Sequence, residues 1–410
     1  MHIQKIMRKF LTILFLCLSF IGSSAQTLSF SDSTIVSLIT CSPGKEAYEK
    51  FGHTAIRLLD KKNNIDVVFN YGIFSFNTSN FYYKFIKGDT DYQLGVYPTQ
   101  FFLPEYKERN SMVWESVLNL NASERRTLIN SLLENYLPEN REYRYNFIFD
   151  NCATRPRDKI IGSIKGHLNL RKDVELKTYR QWFSEYAGTY SWLNLGLDVI
   201  FGMEADENCS QYESMFLPQI LMAEFKAADI IPTPNTPGKK LIASTRVLVE
   251  ATPEKNPFIW YKNTVVVAMI LLIFVFIYTF FGFLKSRHSK VIDTVLLATT
   301  GLAGLIILFL MTASSHPLVQ YNLNILWLNP LNILAAYLIW VKSLRKILFY
   351  YQMVNIMLLF LTLTAFALSF QLFNVAVFPI IVILLIRYST WVVIMKHRLY
   401  KKNKFTSRKL

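Results

Sequence analysis

The sequence predicts an exported α+β domain followed by an all-α bundle of five transmembrane helices. Three observations carry that reading: a leader-like N-terminus, a mixed strand-and-helix pattern through 26–260, and five long apolar runs beyond 263. The net charge of +15 is unevenly placed: residues 261–410 hold 15 Lys/Arg against the single acid Asp293, whereas 26–260 hold 26 basic and 28 acidic residues. The basicity therefore belongs to membrane flanks, and nucleic acid is not an expected partner.

Residues 1–25 read as a signal peptide. Lys5, Arg8 and Lys9 precede an apolar core from Phe10 to Ile21, and Ser23-Ser24-Ala25 offers a small-residue cleavage site. Cys17 lies inside that core and leaves with it; an uncleaved anchor is the alternative. Either way, the segment from 26 onward is exported.

In the exported segment, 31–41 reads as a strand, closed by the turn Ser42-Pro43-Gly44. Alternation along His53–Asp60, the polar turn at 61–64 and the run Ile65–Tyr71 predict a hairpin. Aromatic segments at 73–86 and 92–106 and a strand at 112–120 come next. Asn121 with Glu124 three residues on forms a capping box for a helix over 122–137, which Pro138 ends. Phe147-Ile148-Phe149 then runs through Asp150-Asn151 into Cys152 and a helix reaching about Ile164. Prolines across 231–260 mark a linker with one strand at 241–250.

Five apolar runs, 264–284, 291–312, 325–342, 347–370 and 373–395, are long enough to cross about 30 Å of hydrocarbon. The connections at 285–290 and 342–346 and the tail after 395 are rich in Lys and Arg, while 313–324 and 371–374 carry none. The positive-inside rule puts the basic side, with the tail from 397 to 410, in the cytoplasm and 26–260 outside. Asn322, Asn324, Trp327, Asn329 and Asn332 begin the third run; with His316 they are candidates to face lipid head groups. Arg387, near the cytoplasmic end of the last run, reads as a snorkelling residue.

Removal of the leader leaves Cys41, Cys152 and Cys209. In an oxidising compartment an odd count leaves one thiol over, and the simplest arrangement pairs Cys41 with Cys209. Cys152, at a helix N-terminus near Arg155 and Arg157, sits where a thiolate is stabilised. Topology leaves His53, His167 and His316 on its side of the membrane. His167 lies in a polar surface stretch and His316 in an outer loop, whereas His53 opens a strand behind a glycine that would leave room beside its ring. A thiol at a helix start facing an imidazole on a strand suits acyl chemistry through a covalent intermediate. Asn70 is the candidate to orient the ring, with backbone N–H groups at Cys152 and Ala153 for the oxyanion and Asn151, Arg155 and Tyr71 for substrate positioning. No phosphate-binding glycine loop or metal-ligand motif is present, so neither cofactor nor metal is expected.

The order of histidine on a strand, hairpin, then Asn-Cys opening a helix resembles the circularly permuted papain-like group that includes lecithin:retinol acyltransferase and NlpC-type enzymes. More specifically, Thr40–Gly44, Phe51–Ala55, Asn70–Phe76, Asp150–Asp158, Met215–Pro218 and His316-Pro317 are similar to motifs of the Lnb lipoprotein N-acyltransferase family. That resemblance implies a periplasmic cysteine domain on the bacterial inner membrane, with Cys152 and His53 as the catalytic pair. It also implies a reaction that passes a phospholipid acyl chain through a thioester to the α-amine of a diacylglyceryl-cysteine lipoprotein. The alternatives are a membrane-tethered peptidase or amidase acting on peptidoglycan, and a non-enzymatic assembly or sensor protein.

Overall fold

Alternating apolar residues build the first half of the chain around an antiparallel sheet. The structure, a computed structural model, describes residues 28–74, 79–171, 175–232, 238–253 and 257–406, with side chains through 397. The leader, Ser75-Phe76 and the last residues of the tail lie outside the described residues. In chain order the elements begin β1 (Ile35–Cys41), β2 (His53–Asp60), β3 (Ile65–Ile73), α1 (Phe81–Lys87), β4 (Asp91–Pro98), α2 (Thr99–Glu108) and β5 (Val113–Leu118). Then come α3 (Ala122–Tyr136), β6 (Glu142–Arg144), α4 (Thr154–Ser163), β7 (His167–Asn169), α5 (Tyr179–Ala187) and α6 (Trp192–Ile200). The short α7 (Gln211–Ser214), α8 (Pro218–Ala227), β8 (Asp229–Ile231), β9 (Lys239–Lys240) and β10 (Ile242–Val249) complete this half.

The main sheet has the strand order β10-β5-β1-β2-β3-β4-β6, and β7, β8 and β9 form a small second sheet. Period-two alternation gives the main sheet two buried faces. Leu38, Ile56, Leu58 and Phe69 point to one, beneath Leu128 and Leu132 of α3, Ile160 of α4 and Leu221 and Phe225 of α8. Ile39, Cys41, Ala55 and Val68 point to the other, beneath Phe102 and Tyr106 of α2. The Asn121–Glu124 box caps α3 as expected. The strand expected inside a linker is instead β10, paired with β5 at the sheet edge.

Two irregularities shape the end of the sheet where His53 lies. Pairing between β2 and β3 stops at Ile56–Phe69, so residues 53–55 pair only with β1. The β3–β4 register shifts between Asn70 and Ile73, with Gly72 in the left-handed region at φ +91. A bulge of this kind bends a strand and re-aims its side chains. Together they open a gap in the sheet at its end.

In the second half, α9 (Thr264–Leu284), α10 (Lys290–Ala313), α12 (Arg345–Ala367) and α13 (Val377–Thr406) contain four stretches long and apolar enough to cross a membrane. The expected third span, 325–342, is not a continuous helix. It breaks into a 3₁₀ turn at Leu323–Leu326, the seven-residue α11 (Asn332–Leu338) and a second turn at Lys342–Leu344. Pro330 cannot donate a backbone hydrogen bond, and Asn329 Oδ1 instead takes the Leu331 N–H at 3.0 Å. The broken segment runs antiparallel to α10. Ideal Cβ atoms on Gly304 and Gly301 would meet the Leu328 carbonyl and the Ile333 amide nitrogen at 1.9 and 2.4 Å, and Trp340 Nε1 donates to Thr294 Oγ1 at 2.9 Å.

Arg387 does not snorkel. It is 2% exposed, and its guanidinium donates to Asp293 Oδ1 at 2.7 Å, Thr279 Oγ1 at 2.9 Å and the Ser289 carbonyl at 3.1 Å. A buried charge needs such pairing, and this one ties α13 to α9 and α10.

Candidate catalytic site

His53 opens β2 on the face shared with Cys41 and Ala55, and its ring lies beside those of Phe102 and Tyr106. Gly52 does not make room for that ring. Its φ is +75, and a Cβ there would strike the Cys41 carbonyl at 2.6 Å, so the glycine serves the close approach of β1. Asn70 reaches His53 from β3 with Oδ1 2.5 Å from Nε2, and its amide donates to Tyr97 Oη at 2.5 Å. The carbonyl end of the amide faces the ring. Nε2 is therefore the protonated nitrogen of the neutral ring, and Nδ1 is left to exchange a proton.

Cys152 comes from the opposite layer, in the turn that leads into α4, and packs with the residues beneath the first face. It reaches His53 through the gap: an ideal Cβ on Gly72 would lie 3.6 Å from Cys152 Cβ, ordinary contact. The two side chains are hydrogen-bonded, and the Thr54 N–H and the N–H of Cys152 itself also serve the sulfur. Residue 54 lies beyond the last β2–β3 pair, where no β3 partner stands opposite it.

Burial by itself would raise the thiol and lower the imidazolium. The charge of each partner and their shared hydrogen bond outweigh it, so Cys152 is held below its ordinary 9.0 and His53 above 6.5. The pair favours thiolate and imidazolium. The other cysteines go the opposite way: burial raises Cys41 well above 9.0 and pushes Cys209 up to about 12.

The expected Cys41–Cys209 disulfide is absent; all three described cysteines are free. Cys41 packs under α2 and hydrogen-bonds Tyr106, whereas Cys209 lies in a separate cluster with Tyr179 and Phe216. An odd count of thiols says nothing about which sheet face each occupies.

The residues expected to position substrate are each engaged by other groups of the protein. Asn151 is 4% exposed; its amide donates to the Phe147 and Phe216 carbonyls at 2.8 and 3.0 Å, and its Oδ1 accepts from the N–H groups of Ala153 and Thr154 at 2.7 and 2.9 Å. The Ala153 N–H is thus engaged by Asn151 and is not offered to an oxyanion. Arg155 pairs with Asp150 through two bonds and lies 3.5 Å from the Tyr143 ring centroid. Tyr71 is fully buried and donates to Asn135 Oδ1 at 2.9 Å.

The lipid-facing assignments also change. Asn324 and Trp327 are buried: Asn324 Nδ2 donates to the Asp198 and Val199 carbonyls of α6 at 3.2 and 3.1 Å, and its Oδ1 accepts from Trp327 Nε1 at 2.7 Å. Asn329 caps the break before α11. His316 Nε2 lies 2.7 Å from the Phe85 carbonyl, and its ring is 6.0 Å from that of Phe147, so it joins the outer loop to α1 and to the approach to Cys152. His167 is exposed on β7, as expected. Sequence reasoning misses Tyr97 and the Thr54 N–H. Strand alternation puts Thr54 on the face away from His53, and no local pattern signals a backbone donor freed by the end of strand pairing.

Sheet, buried thiol–imidazole–amide cluster and apolar helices define a membrane protein that carries its reactive cluster in an N-terminal domain. Residues 24–185 match the family model described as the Lnb N-terminal periplasmic domain, and 259–399 match that of the Lnb transmembrane domain. The chain belongs to the Lnb family, and is an inner-membrane protein with a periplasmic N-terminal domain. No curated protein and no solved structure matches it.

Proposed function

We propose that this protein is a lipoprotein N-acyltransferase working through a Cys152 thioester, in a permuted papain-like domain spanning 26–260. The observation that carries the reading is the hydrogen-bonded Cys152–His53 pair, with Asn70 on the far nitrogen of the ring. In the first half-reaction the Cys152 thiolate attacks an ester carbonyl of a phospholipid, and the Thr54 N–H, which bonds the sulfur at rest, turns to the oxyanion. The C–O bond breaks, His53 delivers its proton to the departing glycerol oxygen, and a lysophospholipid leaves. In the second, the neutral α-amine of a diacylglyceryl-cysteine lipoprotein attacks the thioester. His53 takes the amine proton as the C–S bond breaks, which restores thiolate and imidazolium. The reaction consumes no nucleotide, because the thioester already activates the acyl group.

The membrane region supports this assignment, because both substrates are lipids and confinement beside the bilayer raises their effective concentration. The broken segment 323–344 completes a fifth crossing beside α10, which leaves the basic tail from 397 in the cytoplasm, and 1–25 is the export signal. Intact-mass analysis of lipoprotein N-termini from cells with and without the protein tests the activity. Unchanged N-acylation in its absence would remove the transferase reading. A fatty thioester on Cys152 separates it from cleavage of peptidoglycan.

A further inference from the structure

The α1 helix, Phe-Tyr-Tyr-Lys-Phe-Ile-Lys, exposes more aromatic surface than a water-facing helix of seven residues requires. Tyr82 is 77% exposed, Tyr83 59%, Phe85 49% and Ile86 47%, while Phe81 is buried. Its position says what covers that face. The Tyr83 ring packs 6.5 Å from that of Phe309 on α10, and Phe309 lies four residues before the outer end of that helix, about 6 Å along its axis. The far end of α1 is tied to the loop after α10: the Ser315 N–H donates to the Lys87 carbonyl at 2.8 Å, and Ser315 Oγ donates to the Gly88 carbonyl at 3.0 Å. The helix is therefore fixed level with the last turn of a membrane span, the depth at which aromatic side chains collect.

From its inner side a run of rings leads to the thiol. Phe81 stacks on Phe74 at 5.9 Å, Phe74 packs on Tyr92 at 5.0 Å, and Tyr92 stacks on Tyr145 at 4.1 Å. Tyr145 and Cys152 are both in reach of the same point beside Gly72.

We propose that α1 is seated in the periplasmic leaflet and that the face from Phe81 to Tyr145 is the track along which a phospholipid acyl chain reaches Cys152. Seating in the leaflet stands on α1 and α10 alone; the track rests on the transferase reading. Amphipathic helices at this level hold their apolar side chains among the upper acyl carbons. The ester to be attacked lies at the top of those same chains.

The test uses the full chain in vesicles of phosphatidylethanolamine and phosphatidylglycerol, with or without phospholipid brominated near the glycerol end of its chains. The extra tryptophan emission of a Tyr82→Trp variant should be quenched by the brominated lipid. That of a Lys62→Trp variant, at the β2–β3 turn remote from His53, should not. Equal, unquenched emission from both overturns the seating of α1. Replacing Tyr82, Phe85 and Ile86 together by Ser should raise the apparent KM for vesicle phospholipid in thioester formation about tenfold, with a smaller effect on kcat. A triple variant whose loss lies wholly in kcat, or which shows no loss, overturns the track. Absence of any thioester on the unaltered protein overturns the transferase reading instead and leaves the quenching result to decide the seating.

Discussion

Cys41 stands directly across the β1–β2 pair from His53, yet it is Cys152, from another layer, that shares the proton. Proximity to the imidazole in register is thus not what makes a thiol reactive here. Cys41 has a buried, aromatic setting that disfavours its charged form, while Cys152 has the imidazolium and two backbone N–H groups. At pH 7, iodoacetamide should modify Cys152 at least about tenfold faster than Cys41 or Cys209, because only the thiolate reacts. Peptide mapping after short exposures checks this. Comparable labelling of Cys41 would contradict the assignment.

The thiolate–imidazolium pair is lost as pH falls through the lowered Cys152 value and as pH rises through the raised His53 value. Thioester formation should therefore follow a bell between these limits. Asn70 favours the charged ring, so Asn70→Ala should draw the alkaline limb to lower pH. Hydrogen bonds to charged groups are worth about 1.5–3 kcal/mol, so the rate should also fall roughly 10- to 100-fold. A slower variant with an unmoved alkaline limb would show that Asn70 acts by some other route. Cys152→Ser should abolish the thioester.

Asn151 is tied by its side chain into the turn that carries Cys152. Asn151→Ala removes four hydrogen bonds in a buried site and should cost about 2–4 kcal/mol. Thermal unfolding in detergent measures it. A fully stable variant with a raised KM would return the residue to the substrate.

The Arg387–Asp293 pair offers a separate test of the membrane region. Arg387→Met strands a buried carboxylate and should destabilise by about 3–5 kcal/mol. Arg387→Met combined with Asp293→Leu removes both charges and should recover most of the loss. A double variant no more stable than the single would mean that the pair acts through more than its charge.

The residues that carry information in sequence are those whose signal is local. The alternation along His53–Asp60, the Asn121–Glu124 box and the apolar runs of the four long helices each report on their own neighbourhood, and each has its counterpart in the structure. The errors concern how a side chain or N–H is spent, whether on a partner distant in the chain or on one two residues away. Asn324 and Trp327 have the composition of an interfacial belt, but Asn324 is spent on carbonyls more than a hundred residues away. Ala153 stands where an oxyanion donor belongs, but the Asn151 side chain occupies its N–H. The break at Asn329-Pro330 is visible as a proline, but the apolar run around it outweighs that signal.

The clasp between α6 and the outer ends of the membrane helices has a consequence for how far the Cys152 thiol can reach. Asn322 and Asn324 grip the last carbonyls of α6, Asn374 Nδ2 donates to Asp198 Oδ2 at 2.8 Å, and Gln371 Nε2 donates to the Phe201 carbonyl at 3.2 Å. Such a joint does not behave as a leash. It acts as a caliper that sets the height of the sulfur above the lipid; on the proposed transferase reading, donor and acceptor must each present their reacting atom within one thin slab of the interface. Under that reading, a lipoprotein whose modified N-terminus is held clear of the slab by its own folded domain would go unacylated, however well its chemistry matched.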